Sequence, residues 1–182
     1  MKRLLAAGAL VLAGLVPVAA QQAADPQNTV FLDTKDGRIT IRLRPDLAPK
    51  HVEQIKALTK RGFYNGVVFH RVIDGFMAQT GDPTGTGTGK SDLPNIPAEF
   101  SQTQYKRGSV GMARSQSPDS ANSQFFICYD GCGPLTGQYT LFGEVVSGMD
   151  VVDKIKKGNQ AANGMVSNPD KIVKMQLAAD AK

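Results

Sequence analysis

Residues 69–82 read FHRVIDGFMAQTGD. Apolar, β-branched and aromatic side chains flank Asp74-Gly75, a dipeptide that strongly marks a short hairpin. The spacing predicts two antiparallel strands, VVFHRVI over 67–73 and FMAQT over 76–80. With a two-residue turn, Ile73 faces Phe76 and Arg71 faces Ala78, which puts Arg71 and Gln79 on opposite pleats. Arg71 is the oddity of the segment, because neither strand supplies an acidic partner for it.

Outward from this hairpin the chain holds six more short runs with strand character: NTVFLD (28–33), RITIRL (38–43), SVGMA (109–113), SQFFICY (123–129), TLFGEVV (140–146) and KIVKMQL (171–177). Two helical patterns interrupt them. Pro49 opens the first, Val52, Ile55 and Leu58 recur at helical spacing, and Gly62 closes it. The second covers 149–157 and stops at Gly158. Two helices are too few to cover both faces of a parallel sheet. The expected fold is therefore mainly β: a closed, eight-stranded antiparallel barrel capped by two α-helices, since closure removes exposed edges. Residues 81–107 carry three Pro and four Gly without periodicity, and read as a long surface loop of the kind that usually serves function.

A chain of 182 residues, 41% apolar and 20% charged, has material for one core. Its first twenty residues stand apart. Lys2 and Arg3 precede an apolar run over 4–16, and Pro17-Val18-Ala19-Ala20 supplies a break and small residues before a cleavage point. Residues 1–20 are expected as a signal peptide, 21–27 as a polar leader, 28–178 as the folded domain and 179–182 as a tail. An uncleaved anchor is the alternative, but a membrane span needs roughly 20 apolar residues. Export to the periplasm follows, with no stable membrane association after cleavage. Without Lys2 and Arg3 the chain carries 19 basic against 16 acidic residues, a net of +3. That mild excess, with no dense basic run, argues against a nucleic-acid partner. No coiled coil or apolar helix invites self-association, so a monomer is expected.

Several chemistries lack their parts. TGTGTGKS (84–91) nearly matches a phosphate-binding loop, but Thr84 stands where a Gly is required and DLPNIP follows where a helix must start. The serines between 115 and 123 lack a G-x-S-x-G elbow and a positioned base, so a hydrolase has little support. His70 reads as a half-buried strand residue that hydrogen-bonds locally. Cys128 and Cys132 permit a small disulfide loop in an oxidising compartment, or a buried strand cysteine. Two thiols with His51 and His70 far off do not make a zinc site. What remains is an apolar patch with an arginine at its rim, formed by the hairpin and by GMARSQSPDSANSQFFI (111–127).

FHRVIDGFMAQTGD and ANSQFFI (121–127) resemble the two signatures of the cyclophilins, peptidyl-prolyl cis-trans isomerases, and LFGEVVSGMDVVDKI (141–155) is similar to the family's late strand and second helix. The likeness extends from about residue 28 to 177. It implies a groove on the outer face of the barrel for proline-containing polypeptides, and no metal or cofactor, since no bond is broken. By the same resemblance, Arg71 is the catalytic donor, Phe76, Met77, Phe126 and Leu135 form a socket walled by Tyr139, and Gln79 orients Arg71 and meets a substrate carbonyl. Ala113, Arg114, Ser115 and Gln124 line the peptide strand, Arg114 mainly through its backbone. Convergence of Arg71 with Gln79 then requires a bulge or strong twist near the turn. Pro134 stands where eukaryotic members usually have tryptophan and Tyr139 where they have histidine. A proline-binding module or holdase with little isomerase activity is the alternative reading.

Overall fold

The computed structural model describes residues 25–182. The expected signal peptide and most of the polar leader lie outside the described residues. The chain forms strands β1 (Thr29–Thr34), β2 (Gly37–Leu43), β3 (Arg71–Ile73), β4 (Met77–Thr80), β5 (Ser109–Met112), β6 (Phe125–Cys128), β7 (Leu141–Ser147) and β8 (Lys174–Leu177), with helices α1 (Pro49–Lys60) and α2 (Met149–Lys154). Each predicted strand and helix has a counterpart, but the strand expected over 67–73 forms only as Arg71–Ile73 and that over 171–177 only as Lys174–Leu177. The second helix ends three residues early, because Ile155 turns to an extended conformation and buries its side chain in the core.

All strand pairs are antiparallel, in the order β3-β4-β6-β5-β7-β2-β1-β8. The expectation of a closed barrel is corrected here: the sheet curls into an open half-barrel whose edge strands, β3 and β8, do not pair with each other. The reason lies in β3, which is only three residues long. The irregular chain before β8 runs along it instead, with Val72 N–H donating to the Gly164 carbonyl at 2.8 Å and Gly158 N–H to the Val72 carbonyl at 2.9 Å. A Cβ at Gly158 would run into the Gly164 carbonyl, and one at Gly164 would come within 2.5 Å of the Ile73 side chain on β3, so this close approach depends on glycine.

Side-chain alternation divides the apolar residues between two faces. Val72, Ala78, Ile127 and Val110 are successive cross-strand partners on β3, β4, β6 and β5, and all four enter the main core. That core also takes Val52, Ile55 and Leu58 from α1 and Val151 and Val152 from α2. The intervening residues Met77, Phe126, Cys128 and Leu141 point the other way and form a second, smaller cluster. Cys128 and Cys132 are joined as a disulfide inside it.

Helix α1 begins without a local side-chain cap. Glu99 supplies one from the long loop, accepting from the backbone N–H of Lys50 at 3.2 Å and of His51 at 3.1 Å. The same carboxylate lies 2.6 Å from His51 Nδ1. These bonds hold Glu99 below the usual carboxylate range against the opposing effect of burial, while burial lowers the His51 pKa. Residues 81–107 are thus less of a surface excursion than their composition implies: Asp82, Ser91, Ile96 and Tyr105 are all buried.

Candidate active site

The site starts at the hairpin turn. Its loop holds three residues, 74–76, instead of the expected two: Phe76 N–H donates to the Ile73 carbonyl at 3.0 Å, and Gly75 takes a positive φ of 70°. Two further bonds fix it, from Tyr129 N–H to the Phe76 carbonyl and from Gly131 N–H to the Gly75 carbonyl, both 2.9 Å. The extra residue changes the register. Ile73 faces Met77 and Arg71 faces Gln79 in a ladder with no bulge, so the two converge on one face through turn length alone. The bulge expected from a two-residue turn is not needed.

The same row continues across the sheet. Gln79 faces Phe126, and Phe126 faces Gly111. A Cβ on Gly111 would come within 2.5 Å of Phe126 Cζ, so the glycine lets the Phe126 ring lie over the strand. Tyr105 stacks on that ring at a centroid distance of 6.0 Å, and Tyr139 meets its edge at 5.9 Å with an interplanar angle of 82°. The result is a cavity of about 300 Å³ lined by Phe76, Met77, Phe126, Leu135 and Tyr139, with Arg71, Gln79, Ala113 and Arg114 at its border. Ser115 and Gln124 line an adjoining groove of about 510 Å³ that shares Gln79, Ala113 and Arg114 with the first. All the residues assigned from the sequence therefore gather along one continuous depression. Pro134 is exposed, outside its lining.

Arg71 is half-buried and forms no ion pair among the described residues. Its Nη1 donates to Gln79 Oε1 at 3.1 Å, Nε to the Asn163 carbonyl at 3.0 Å and Nη2 to Asn163 Oδ1 at 3.0 Å. Burial lowers its pKa, an effect opposed by the Tyr139 phenol, yet a guanidinium stays protonated. Because Arg71 can only donate, Gln79 must present its oxygen to it and its NH₂ to Gln124 Oε1, 2.9 Å away. Gln124 in turn donates to the carbonyls of Gly87 at 3.1 Å and Gly89 at 2.8 Å.

That last contact explains the glycine-rich loop. Asp82 is 1% exposed. Its carboxylate accepts from the N–H of Thr84 at 2.7 Å, Gly87 at 2.6 Å and Gly89 at 3.1 Å, and from the Thr84 hydroxyl at 2.8 Å. Burial alone would raise its pKa, but these bonds hold it below the usual carboxylate range. TGTGTG does wrap its amides round an anion, and the anion is the chain's own Asp82.

The remaining side chains differ from expectation in detail. Arg114 contributes more than backbone: its guanidinium lies 4.6 Å from the Tyr139 ring centroid and donates to the carbonyls of Gln138, Ser115 and Gln116. His70 lines the cavity and is 1% exposed, more deeply buried than predicted, and neither ring nitrogen has a hydrogen-bond partner among the described residues. Burial lowers its pKa, so it is neutral above its ordinary value of 6.5. Asn163, Met165 and Asp82 were not singled out from the sequence. The Asn163-Gly164 pair was a legible turn signal, but nothing local told that it would reach Arg71, 92 positions away.

The fold and site together present an apolar socket, a cation beside it with no ion pair among the described residues, and an adjoining groove on one face of an antiparallel β protein. Comparison with known proteins supplies the family. Residues 29–177 match the model of the cyclophilin type peptidyl-prolyl cis-trans isomerase/CLD family. A Brucella suis protein named "Probable peptidyl-prolyl cis-trans isomerase" is 58% identical, over 98% of this chain and 96% of its own length. A Helicobacter pylori peptidyl-prolyl cis-trans isomerase is 42% identical over 70% of this chain and 80% of its own. Among solved structures, cyclophilin AquaCyp293 from Hirschia baltica matches with a TM-score of 0.77 at 28% identity, over 87% of this chain and 77% of that one. A Cryptosporidium parvum cyclophilin-type isomerase crystallised in the presence of the dipeptide Ala-Pro matches with a TM-score of 0.74 at 29% identity, over 82% and 98%. The chain belongs to the cyclophilin-type peptidyl-prolyl cis-trans isomerases, and it is an isomerase.

Proposed function

We propose that the mature chain acts in the periplasm, as a monomer, on extended or unfolded polypeptides, and that Arg71 accelerates rotation about their Xaa-Pro bonds. Rotation must break amide resonance, a barrier of about 18–20 kcal/mol. In the twisted transition state the prolyl nitrogen regains a lone pair that is delocalised in both ground states. A donor aimed at that atom stabilises the transition state selectively, which is the requirement for catalysis. The observation that carries this reading is the guanidinium of Arg71, held by neutral amides with three of its N–H groups engaged and two of the five left for a ligand.

In this scheme Phe76, Met77, Phe126, Leu135 and Tyr139 grip the proline ring. Gln79 receives or meets the backbone beside it, and Ala113, Arg114, Ser115 and Gln124 guide the neighbouring residues. The Cryptosporidium structure obtained with Ala-Pro supports a proline-containing ligand. Export rests on the basic start and apolar run of residues 1–20. The holdase alternative is favoured by Pro134 and by the long loop over 81–107, but that loop is tied down through Asp82 and Glu99.

Replacing Arg71 by Ala should lower kcat/KM on a proline peptide by about 10²–10³-fold, the cost of losing a principal transition-state donor, with the melting temperature little changed. A folded Arg71→Ala protein that retains near-full isomerase activity overturns the mechanism. Binding of the peptide without acceleration of its isomerisation by the parent protein would favour the holdase.

A further inference from the structure

Gln79 holds only one side of the guanidinium. The opposite edge, Nε and Nη2, is held by Asn163, through its backbone carbonyl and its side-chain Oδ1, each at 3.0 Å. We propose that Asn163 is a second positioning residue for isomerisation, and that an amide is required there because it fixes the plane of Arg71 without neutralising its charge. The proposal rests on the role given to Arg71 above.

The local backbone is built for this contact. Asn163 adopts a left-handed conformation, φ 53° and ψ 34°, which asparagine tolerates better than most residues with a side chain. The turn around it is closed by its own bonds, Asn163 N–H to the Gln160 carbonyl, Gly164 N–H to the Asn159 carbonyl and Met165 N–H to the Ala162 carbonyl. Asn159 Oδ1 caps the turn by accepting from Ala161 N–H at 2.9 Å. The turn is then fastened to the strand that carries Arg71, by the Val72 N–H to Gly164 carbonyl bond and by the bridge between Arg71 and Met165. The edge of the sheet that does not close therefore serves as a jaw for the guanidinium. Bonds at Nε, Nη1 and Nη2 leave its plane no free rotation.

Aspartate is nearly isosteric, also tolerates the left-handed region and could accept the same two bonds. It would place a carboxylate against a half-buried cation, whose attraction in that medium exceeds its value in water several-fold. The donor strength available to a prolyl nitrogen would fall accordingly.

The test uses the mature full-length chain and its Asn163→Gly, Asn163→Asp, Arg71→Ala and Arg71→Ala/Asn163→Gly variants, with kcat and KM measured on one proline peptide and melting recorded for each. Asn163→Gly keeps the backbone conformation and its carbonyl bond, so kcat should fall about threefold to tenfold, the equivalent of one hydrogen bond, with KM and melting little moved. Asn163→Asp should fold and bind the peptide, yet lose more kcat than Asn163→Gly. Adding Asn163→Gly to Arg71→Ala should cost nothing further, because the residue acts only through the arginine. Parent-level kcat in Asn163→Gly or Asn163→Asp, beside an inactive Arg71→Ala, overturns this proposal and leaves the role of Arg71 standing. An active Arg71→Ala protein overturns that role as well.

Discussion

His70 shows how one residue can be misread from its neighbours and still constrain the chemistry. It precedes Arg71 and lines the same cavity, so a proton-transfer role is the obvious competitor to the arginine. Its burial holds the imidazole neutral above pH 6.5, and rotation about an amide transfers no proton to a side chain. Isomerase activity should therefore change less than about twofold between about pH 6 and 8, where a catalytic histidine of ordinary pKa would titrate. A bell-shaped rate profile over that interval would assign His70 a catalytic role. Gly111 is the second instructive residue. Adding a methyl there should drive the Phe126 ring into the socket, with a cost of about 1–3 kcal/mol in stability and a raised KM, measured by denaturant titration and steady-state kinetics. The residues assigned to the proline site were legible through the resemblance of their motifs, which singles out an arginine, a methionine and a glutamine in an apolar hairpin. Asn163 and Asp82 were not, because each acts through partners distant in sequence or through backbone amides that no side-chain pattern reveals.

At the scale of elements, periodicity found the eight strands and both helices but missed how they join. Asp74-Gly75 is a good two-residue turn in isolation. Backbone bonds from Tyr129 and Gly131 instead draw Phe76 into the turn, and that single residue moves Gln79 to the face of Arg71. The glycine-rich loop repeats the lesson. Its resemblance to an anion cradle was sound physics, and only tertiary structure could show that the anion is internal. Asp82→Ala should leave the amides of Thr84, Gly87 and Gly89 without this acceptor and destabilise the protein by about 1–3 kcal/mol. Hydrogen exchange should report Thr84, Gly87 and Gly89 amides newly unprotected, and kcat/KM should fall because Gln124 loses the carbonyls it donates to. Retained protection at all three amides would show that the loop is held by something other than this carboxylate.

For the whole molecule, buried ionisable groups set the response to acid. His51 and His70 have folded pKa values below their ordinary 6.5, and Asp82 and Glu99 lie below their ordinary 3.8 and 4.5. Each group contributes its full stabilisation above the unfolded value and loses it as pH falls through the folded one. Urea midpoints should be level above about pH 7, decline from there as the histidines are forced to charge, and drop further below about pH 4. A midpoint that rises between pH 7 and 5 would contradict neutral burial of both imidazoles. Closure of the barrel was inferred from the need to hide sheet edges, which was correct as a need; the chain meets it with irregular backbone along β3 rather than an eighth set of pairings.

The alternation along β4 and β6 has a practical corollary for anyone redesigning this enzyme. Phe125 and Ile127 hold the interior together while Phe126 between them faces the cavity, so outward positions other than the disulfide-bonded Cys128 can be varied with the main core untouched. A single-residue deletion within either strand would exchange the two roles, and affinity and foldedness would be lost in one event.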